Sequence, residues 1–515
     1  MAKNIYVIGI GGTGMRCIES FIHLCAIGMF DDTNVNLLAL DTDKLNGNFK
    51  RLQTLAEQYR KINGGKPKKD TLFSANLEYY QFSPDYDRND CSFNTVIDRM
   101  GAVSTELGEN VKSKLSNLMD LIIRPEVGEM SLAHGYRAQT QMGSMLMYHA
   151  VLEEAYKAKD NTSSGLRNFL NKIVNAQGGQ PVFVFGSVFG GTGASSIPIL
   201  PHAFNDAAKV LFGESTELVK GNLFGSVVLT NYFSFDIADS DKVVAKSTKF
   251  ALNSQAALKF YRNDPTINEV YRRLYVIGRG QMRSVPSGGT GGASQCNPAD
   301  YIELMAAFAA YDFFKKCAQL PSDPNVFDND TNSPFVAKTI NAEDSLSFEN
   351  FTEDHEEFME RLGIMTVASF LDSGYFYFDN LRREFMSFDE KDLDPLRKYF
   401  RLFGIEPYNE DNVEKTGWLN QIFDSAVADG FQKGAFFNPA LFGCKTEKDF
   451  KKYKVNELLY NMETPPAFPV GLLTNKFSVV KDKFKDVKPS DNGSLESLIE
   501  RTFLTLRSLY FDKTK

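Results

Sequence analysis

The amino-acid sequence predicts an α/β fold on a parallel sheet, and three observations predict it. Short apolar, β-branched runs alternate with stretches whose apolar residues recur every three or four positions. Two of these runs end in near-identical glycine clusters, Gly11-Gly12-Thr13-Gly14 and Gly190-Gly191-Thr192-Gly193. A stretch after Asn297 is apolar nearly all round, as a helix buried in the middle of a domain must be. Strand, glycine turn, helix and strand make a βαβ unit, whose right-handed crossover lays parallel strands side by side in a Rossmann-like sheet. The 515 residues leave room for a sheet domain over 1–296, the central helix over 297–320 and a divergent, helix-rich α+β domain over 321–515.

Each element has its own signal. Asn4-Ile5-Tyr6-Val7-Ile8 is apolar enough for a buried strand, and Met15, Ile18, Phe21, Ile22 and Cys25 mark the helix after its glycine turn. Val35 to Leu40 is a second buried strand, closed by Asp41-Thr42-Asp43. Residues 44–130 are polar, with helical spacing at Val111, Leu115, Leu118, Met119 and Ile122, which predicts an insertion of helices over the sheet edge. A loop at Gly135-Tyr136-Arg137-Ala138-Gln139 precedes a helix striped by Met142, Met145, Leu146, His149, Leu152 and Tyr156. Pro181 to Phe185 repeats the opening strand, its glycine turn leads into a helix from about Ile197 to Leu211, and Leu223 to Thr230 is the next strand. An acidic loop at Asp236 to Asp241, a helix around Val243 to Tyr261, a strand at Leu274 to Ile277 and a Gly/Ser stretch from Gly278 to Ser294 follow. Asn297 is a good N-cap and Pro298 is pre-set for a first helical turn, so the central helix should open there and run to about Cys317. Residues 321–345, with Pro321, Pro324 and Pro334, read as a linker, and strands are expected near Met365 to Leu371 and Val470 to Leu473.

Composition excludes several functions. With 57 Lys and Arg against 65 Asp and Glu, the net charge of −8 provides no global field for nucleic acid. No run approaches the roughly 18 apolar residues of a membrane span, and the N-terminus lacks the pattern of a secretory leader, so a cytoplasmic location is expected. The six cysteines are scattered without a Cys-x-x-Cys pair, which fits small buried residues rather than zinc or redox sites. Most of the 43 phenylalanines fall on predicted strands and the central helix, whereas Phe436, Phe437 and Phe442 are candidates for a protein-partner surface in the C-terminal region.

A glycine turn between a buried strand and a helix gathers backbone N–H groups at the positive end of the helix dipole, where anions bind. The first turn alone satisfies Gly9-x-Gly11-x-x-Gly14, and Asp41 closes the next strand, which is nearly the fingerprint of an NAD(P)- or flavin-binding oxidoreductase. Asp41 lies 27 positions beyond Gly14, farther than that pattern usually places its acid. The second turn argues for a ligand richer in phosphate, since neighbouring strands would aim both turns at one crevice. The Walker pattern Gly-x-x-x-x-Gly-Lys-Ser/Thr is absent.

Taken together, these pieces resemble the tubulin and FtsZ-like GTPases, and more closely the divergent bacterial tubulin-like proteins. Gly190-Gly191-Thr192-Gly193-Ala194-Ser195 is similar to the family's phosphate loop, although Phe189 and Ser195 stand where glycines are usual. Gly11-Gly12-Thr13-Gly14 resembles the first nucleotide loop, Asp41-Thr42-Asp43 the end of the second strand, and Gly135 to Gly143 the loop at the terminal phosphate. Phe233-Ser234-Phe235-Asp236 resembles the segment that reaches the ribose. The resemblance covers residues 4 to 317 and implies a GTP or GDP ligand, with Mg2+ as a possible companion. It implies phosphate contacts from Gly11, Gly12, Thr13, Gly14, Gly190, Gly191, Thr192, Gly193 and Ala194, with Asp41 lining the site. It also implies Arg137 at the terminal phosphate, Asp236 at the ribose, and Asn297 with Tyr301 at the base. Each has a plainer reading: Asn297 as a helix cap, Asp236 as a solvated acid, and Arg137 paired with Glu126 or Glu129.

In that family hydrolysis occurs between subunits stacked head to tail, with acids after the central helix acting on the neighbour's nucleotide. The usual spacing is missing here. Asp344, Glu349 and Asp354 have the right residue types, but Thr352 followed by acids is also good helix-start chemistry. The resemblance therefore implies a GTPase that assembles with copies of itself. A nucleotide-binding scaffold that does not hydrolyse, or an NAD(P)-binding oxidoreductase, is the alternative.

Overall fold

The computed structural model describes residues 3–65, 67–86, 91–96, 121, 123–132, 135–136, 139–176, 178–234, 249–279, 282–284, 297–327, 334–340, 354–375, 377–403, 417–419, 421–422, 425, 476–488 and 493–510. Its strands are β1 (Asn4–Ile10), β2 (Asn34–Leu40), β3 (Asn76–Phe82), β4 (Pro181–Ser187), β5 (Leu223–Leu229), β6 (Phe233–Ser234), β7 (Tyr271–Arg279), β8 (Arg283–Ser284) and β9 (Phe335–Ile340). Seven of them form one sheet in the order β3-β2-β1-β4-β5-β7-β9, and β6 pairs with β8. Every pairing in the large sheet is parallel. The protein is thus α/β with a parallel, Rossmann-like sheet, and β1 and β4 flank the point where the strand order reverses.

The principal helices are α1 (Gly11–Ala26), α2 (Gly47–Asn63), α3 (Thr140–Lys157), α4 (Gly165–Val174), α5 (Thr192–Ser196), α6 (Leu200–Phe212), α7 (Phe250–Asn263) and α8 (Pro265–Val270). The central helix, α9 (Tyr301–Gln319), is followed by α10 (His355–Tyr375), α11 (Tyr377–Phe385), α12 (Asp394–Phe403), α13 (Lys476–Asp486) and α14 (Leu495–Tyr510). Two apolar clusters cover the two faces of the sheet. One joins β1 through Val7, α1 and α9 to Trp418 and Leu506, and the other joins Ile8 and Val184 to α3, α4 and α6. Phe183, Phe185, Phe308, Phe313 and Phe314 are fully buried, as the Phe-rich core predicts. Cys17, Cys25, Cys91 and Cys317 are buried, while Cys296 and Cys444 lie outside the described residues.

Four expectations need correction. The 44–130 insertion is not purely helical, because Asn76–Phe82, a segment that mixes Asn, Glu and Gln with Leu77, Tyr79, Tyr80 and Phe82, joins the sheet beside β2. The 321–345 linker contains β9, which pairs with β7 at the sheet edge. Met365 to Leu371 lies within the helix α10, where Leu362, Ile364, Met365, Val367 and Ala368 are all buried and Thr366 Oγ1 donates to the carbonyl of Leu362 at 2.7 Å, so helical packing outweighs β-branched propensity. The central helix starts at Tyr301 rather than at Asn297-Pro298, because Asp300 and Glu303 form a capping box there. Residues 111–120 and 122, Val470 to Leu473, Phe436, Phe437 and Phe442 lie outside the described residues. Among the described residues no helix is long and apolar enough to cross a membrane.

Candidate functional site

The C-terminal ends of β1, β2 and β4 meet at one crevice. β1 passes directly into α1 through Gly11, whose φ of +69° is a conformation that favours glycine. β4 ends at Ser187, and Val188 to Gly191 lead into α5, whose first residue is Thr192. The two turns face each other: a Cβ on Gly11 would lie 3.5 Å from Thr192 Cβ and 3.8 Å from the Gly193 nitrogen. A third turn joins them, since a Cβ on Gly135 (φ +85°) would lie 3.1 Å from Thr42 Oγ1 and 3.5 Å from Thr192 Oγ1. The Thr42 and Thr192 hydroxyls are 3.4 Å apart. Gly12, Thr13, Gly190 and Gly191 are partly exposed and form the accessible lip, with the first-turn N–H groups of α1 and α5 behind them.

Two glycines in the turns are demanded by packing alone. A Cβ on Gly14 would lie 2.6 Å from the Phe185 carbonyl oxygen, and one on Gly193 would lie 2.8 Å from the Ser187 oxygen. Those two residues are glycine because main chain passes there, which is the packing role such turns also need.

Short α5 is held from behind. The carbonyls of Ala194, Ser195 and Ile197 accept hydrogen bonds from Tyr261 (2.7 Å), Ser144 (2.7 Å) and Tyr271 (2.7 Å). Ser144 lies on α3, and its neighbour Gly143 lets that helix approach, because a Cβ there would sit 2.6 Å from Ser195 Oγ.

Asp41 is 4% exposed, and its carboxylate is engaged by its own loop. Oδ1 accepts from the Thr42 N–H at 2.7 Å and Oδ2 from Asn46 Nδ2 at 3.0 Å. Burial, reinforced by the charge of Asp43, pushes its pKa up to about 7. Its visible work is to shape the turn that delivers the Thr42 hydroxyl to Thr192.

Behind the first turn of α1 lies a buried polar network. Arg16 donates to Glu303 through Nε (2.7 Å) and Nη2 (3.0 Å), and also to the Asn297 carbonyl. Burial works against the guanidinium's charge, but the facing Glu303 carboxylate more than offsets this and moves its pKa up. Tyr232 donates to Glu303 at 2.7 Å, and Arg279 pairs with Asp300 at 2.9 Å. Asn297 therefore contributes a backbone carbonyl to this network and precedes the helix, and the Tyr301 ring is 2% exposed. The structure does not put these two residues on one helical face.

Arg137, Asp236, Asp344 and Glu349 lie outside the described residues. Asp354 lies against the later turns of α9: it accepts from Tyr311 (2.8 Å) and Lys315 (2.7 Å). α9 starts beside Arg279 at the end of β7, and Lys315 is 14 residues further along, about 20 Å at the helical rise. Sequence reasoning did not assign site roles to Thr42 or Gly135, although the Asp-Thr-Asp ending and the turn glycine were visible signals. No protein-family model matches this sequence, and no curated protein matches it either.

Proposed function

We propose that the chain binds a nucleoside di- or triphosphate in this crevice, GTP or GDP by its resemblance to the tubulin and FtsZ-like proteins, and assembles head to tail on doing so. The observation that carries the reading is the convergence of Gly11, Gly135 and Thr192 within a few ångströms of one point. Two helix N-termini and two hydroxyls there present donors to several phosphate oxygens without a Walker lysine. Among the described residues no group of three or more His, Cys, Asp or Glu could hold a metal ion. Asp354 is the one catalytic candidate within the described residues. Its place about 20 Å along α9 from that helix's first turn suits action on a neighbouring subunit, which would make turnover conditional on assembly.

A dinucleotide-binding reading has one observation in its favour, the strand order β3-β2-β1-β4-β5-β7, which is the common dinucleotide-binding order. Against it, the Asp41 carboxylate that would take the ribose is buried and bonded to Thr42 and Asn46. The deciding experiment is to identify the nucleotide released from purified protein and compare thermal shifts with GTP and NAD. Stabilisation by GTP alone supports the proposal, and stabilisation by NAD alone overturns it.

A further inference from the structure

The N-terminus of the central helix is capped partly from a distance. Asp300 supplies the acceptor for the Ile302 N–H at 3.1 Å, as a local N-cap does. The Ala299 N–H instead donates to Gln421 Oε1 at 2.7 Å, and the Tyr301 N–H to Ser425 Oγ at 2.7 Å. Both partners are more than 120 positions away in the chain and essentially unexposed. The same short segment touches three more elements. Gln421 Oε1 accepts from Arg51 of α2 at 3.3 Å, the Ser425 carbonyl accepts from Arg279 of β7 at 3.2 Å, and Trp418 Nε1 donates to Ser20 of α1 at 3.1 Å. The Trp418 ring lies 4.4 Å from the His23 ring, also on α1.

The Ala299 and Tyr301 N–H groups that Gln421 and Ser425 cap lie between Asn297 and Glu303, the two residues that Arg16 bonds. Arg16 lies two residues beyond Gly14 in the helix whose first turn walls the crevice, and it fixes both Glu303 and the Asn297 carbonyl. A shift of that first turn would move the guanidinium, and with it the 297–301 segment whose N–H groups Gln421 and Ser425 cap. We infer that Trp418, Gln421 and Ser425 form an intramolecular latch, whose docking on α1 and the central helix is coupled through Arg16 to occupancy of the crevice. The inference rests on the proposed reading of the crevice as a nucleotide site, and it assigns that site a regulatory contact with the C-terminal region. Coupling of this kind is reciprocal: whatever a ligand does to the latch, the latch does to the ligand's affinity.

Trp418 is the only tryptophan in the chain, so its emission and its quenching by acrylamide report the latch directly. The test uses the full chain, with GTP and Mg2+ as the probe. Calorimetry gives the affinity of the natural protein and of Q421A and S425A, which alter no residue lining the crevice. The expected result is that GTP changes the quenching of Trp418, and that the variants shift GTP affinity about fivefold or more. If GTP binds, Trp418 quenching is unmoved and the variants bind equally well, the latch is overturned while the nucleotide site stands. If GTP does not bind the natural protein, the site itself is refuted and the coupling falls with it. The quenching arm needs no variant, so a variant that fails to fold does not block the test.

Discussion

Replacing Gly11 by alanine separates the ligand role of the first turn from its packing role. With φ at +69°, alanine would sit in the left-handed region at a cost of about 1–2 kcal/mol. The added methyl meets Thr192 Cβ at 3.5 Å, an ordinary van der Waals distance, so no overpacking is added to that strain. G11A should therefore fold, with stability reduced by about 1–2 kcal/mol in urea melts. The same methyl stands between the two turns, where a phosphate would approach the N–H groups, and should weaken GTP binding at least about tenfold, or 1.4 kcal/mol. G14A is the contrast. Its methyl would lie 2.6 Å from the Phe185 carbonyl oxygen and 2.8 Å from the Gly9 carbonyl carbon, so it should unfold far more readily. Calorimetry on folded G11A decides: an affinity equal to that of the natural protein would refute the crevice as the phosphate site.

Three further outcomes are expected. Asp41 has a pKa of about 7 in the folded protein against an ordinary 3.8, so the fold holds its proton more tightly than the unfolded chain. Its contribution to stability is present below about pH 4 and lost as the pH rises through about 7, up to about 4 kcal/mol in all. D41N should flatten that part of the stability profile, and urea melts from pH 4 to 8 that show the same slope in both proteins would contradict it. R16A leaves Glu303 charged and buried beside Tyr232, and should cost about 3–5 kcal/mol, read as a fall in the urea midpoint. Light scattering of concentrated protein should rise on addition of GTP and fall when the nucleotide is exhausted. A flat trace, with bound GTP demonstrated, would remove assembly from the proposal.

The parallel sheet was legible because its central strands are buried on both faces, and β1, β2, β4 and β5 read as continuous apolar runs. The edge strands were not, since β3 mixes Asn, Glu and Gln with its tyrosines and β9 follows a proline-rich stretch. The crevice was legible in outline from its glycines. Which of them packing demands was not, because whether a Cβ would meet a neighbouring carbonyl depends on strands brought together from positions far apart. Asn297 misled for a related reason. A good capping residue three positions ahead of a better one loses when Glu303 completes a box with Asp300 and Arg16 anchors the result. The capping of Ala299 and Tyr301 by Gln421 and Ser425 had no local signature at all.

The three hydroxyls that hold α5 from behind have a thermodynamic consequence. A five-residue helix has too few internal hydrogen bonds to persist alone, yet Tyr261, Ser144 and Tyr271 fix its carbonyl end from three different elements. Its amide end is therefore already oriented, which bears on the proposed nucleotide site. Entry of a ligand orders little backbone, and the binding signature should be dominated by hydrogen-bond enthalpy with a small ordering entropy, the reverse of a loop that folds around its ligand.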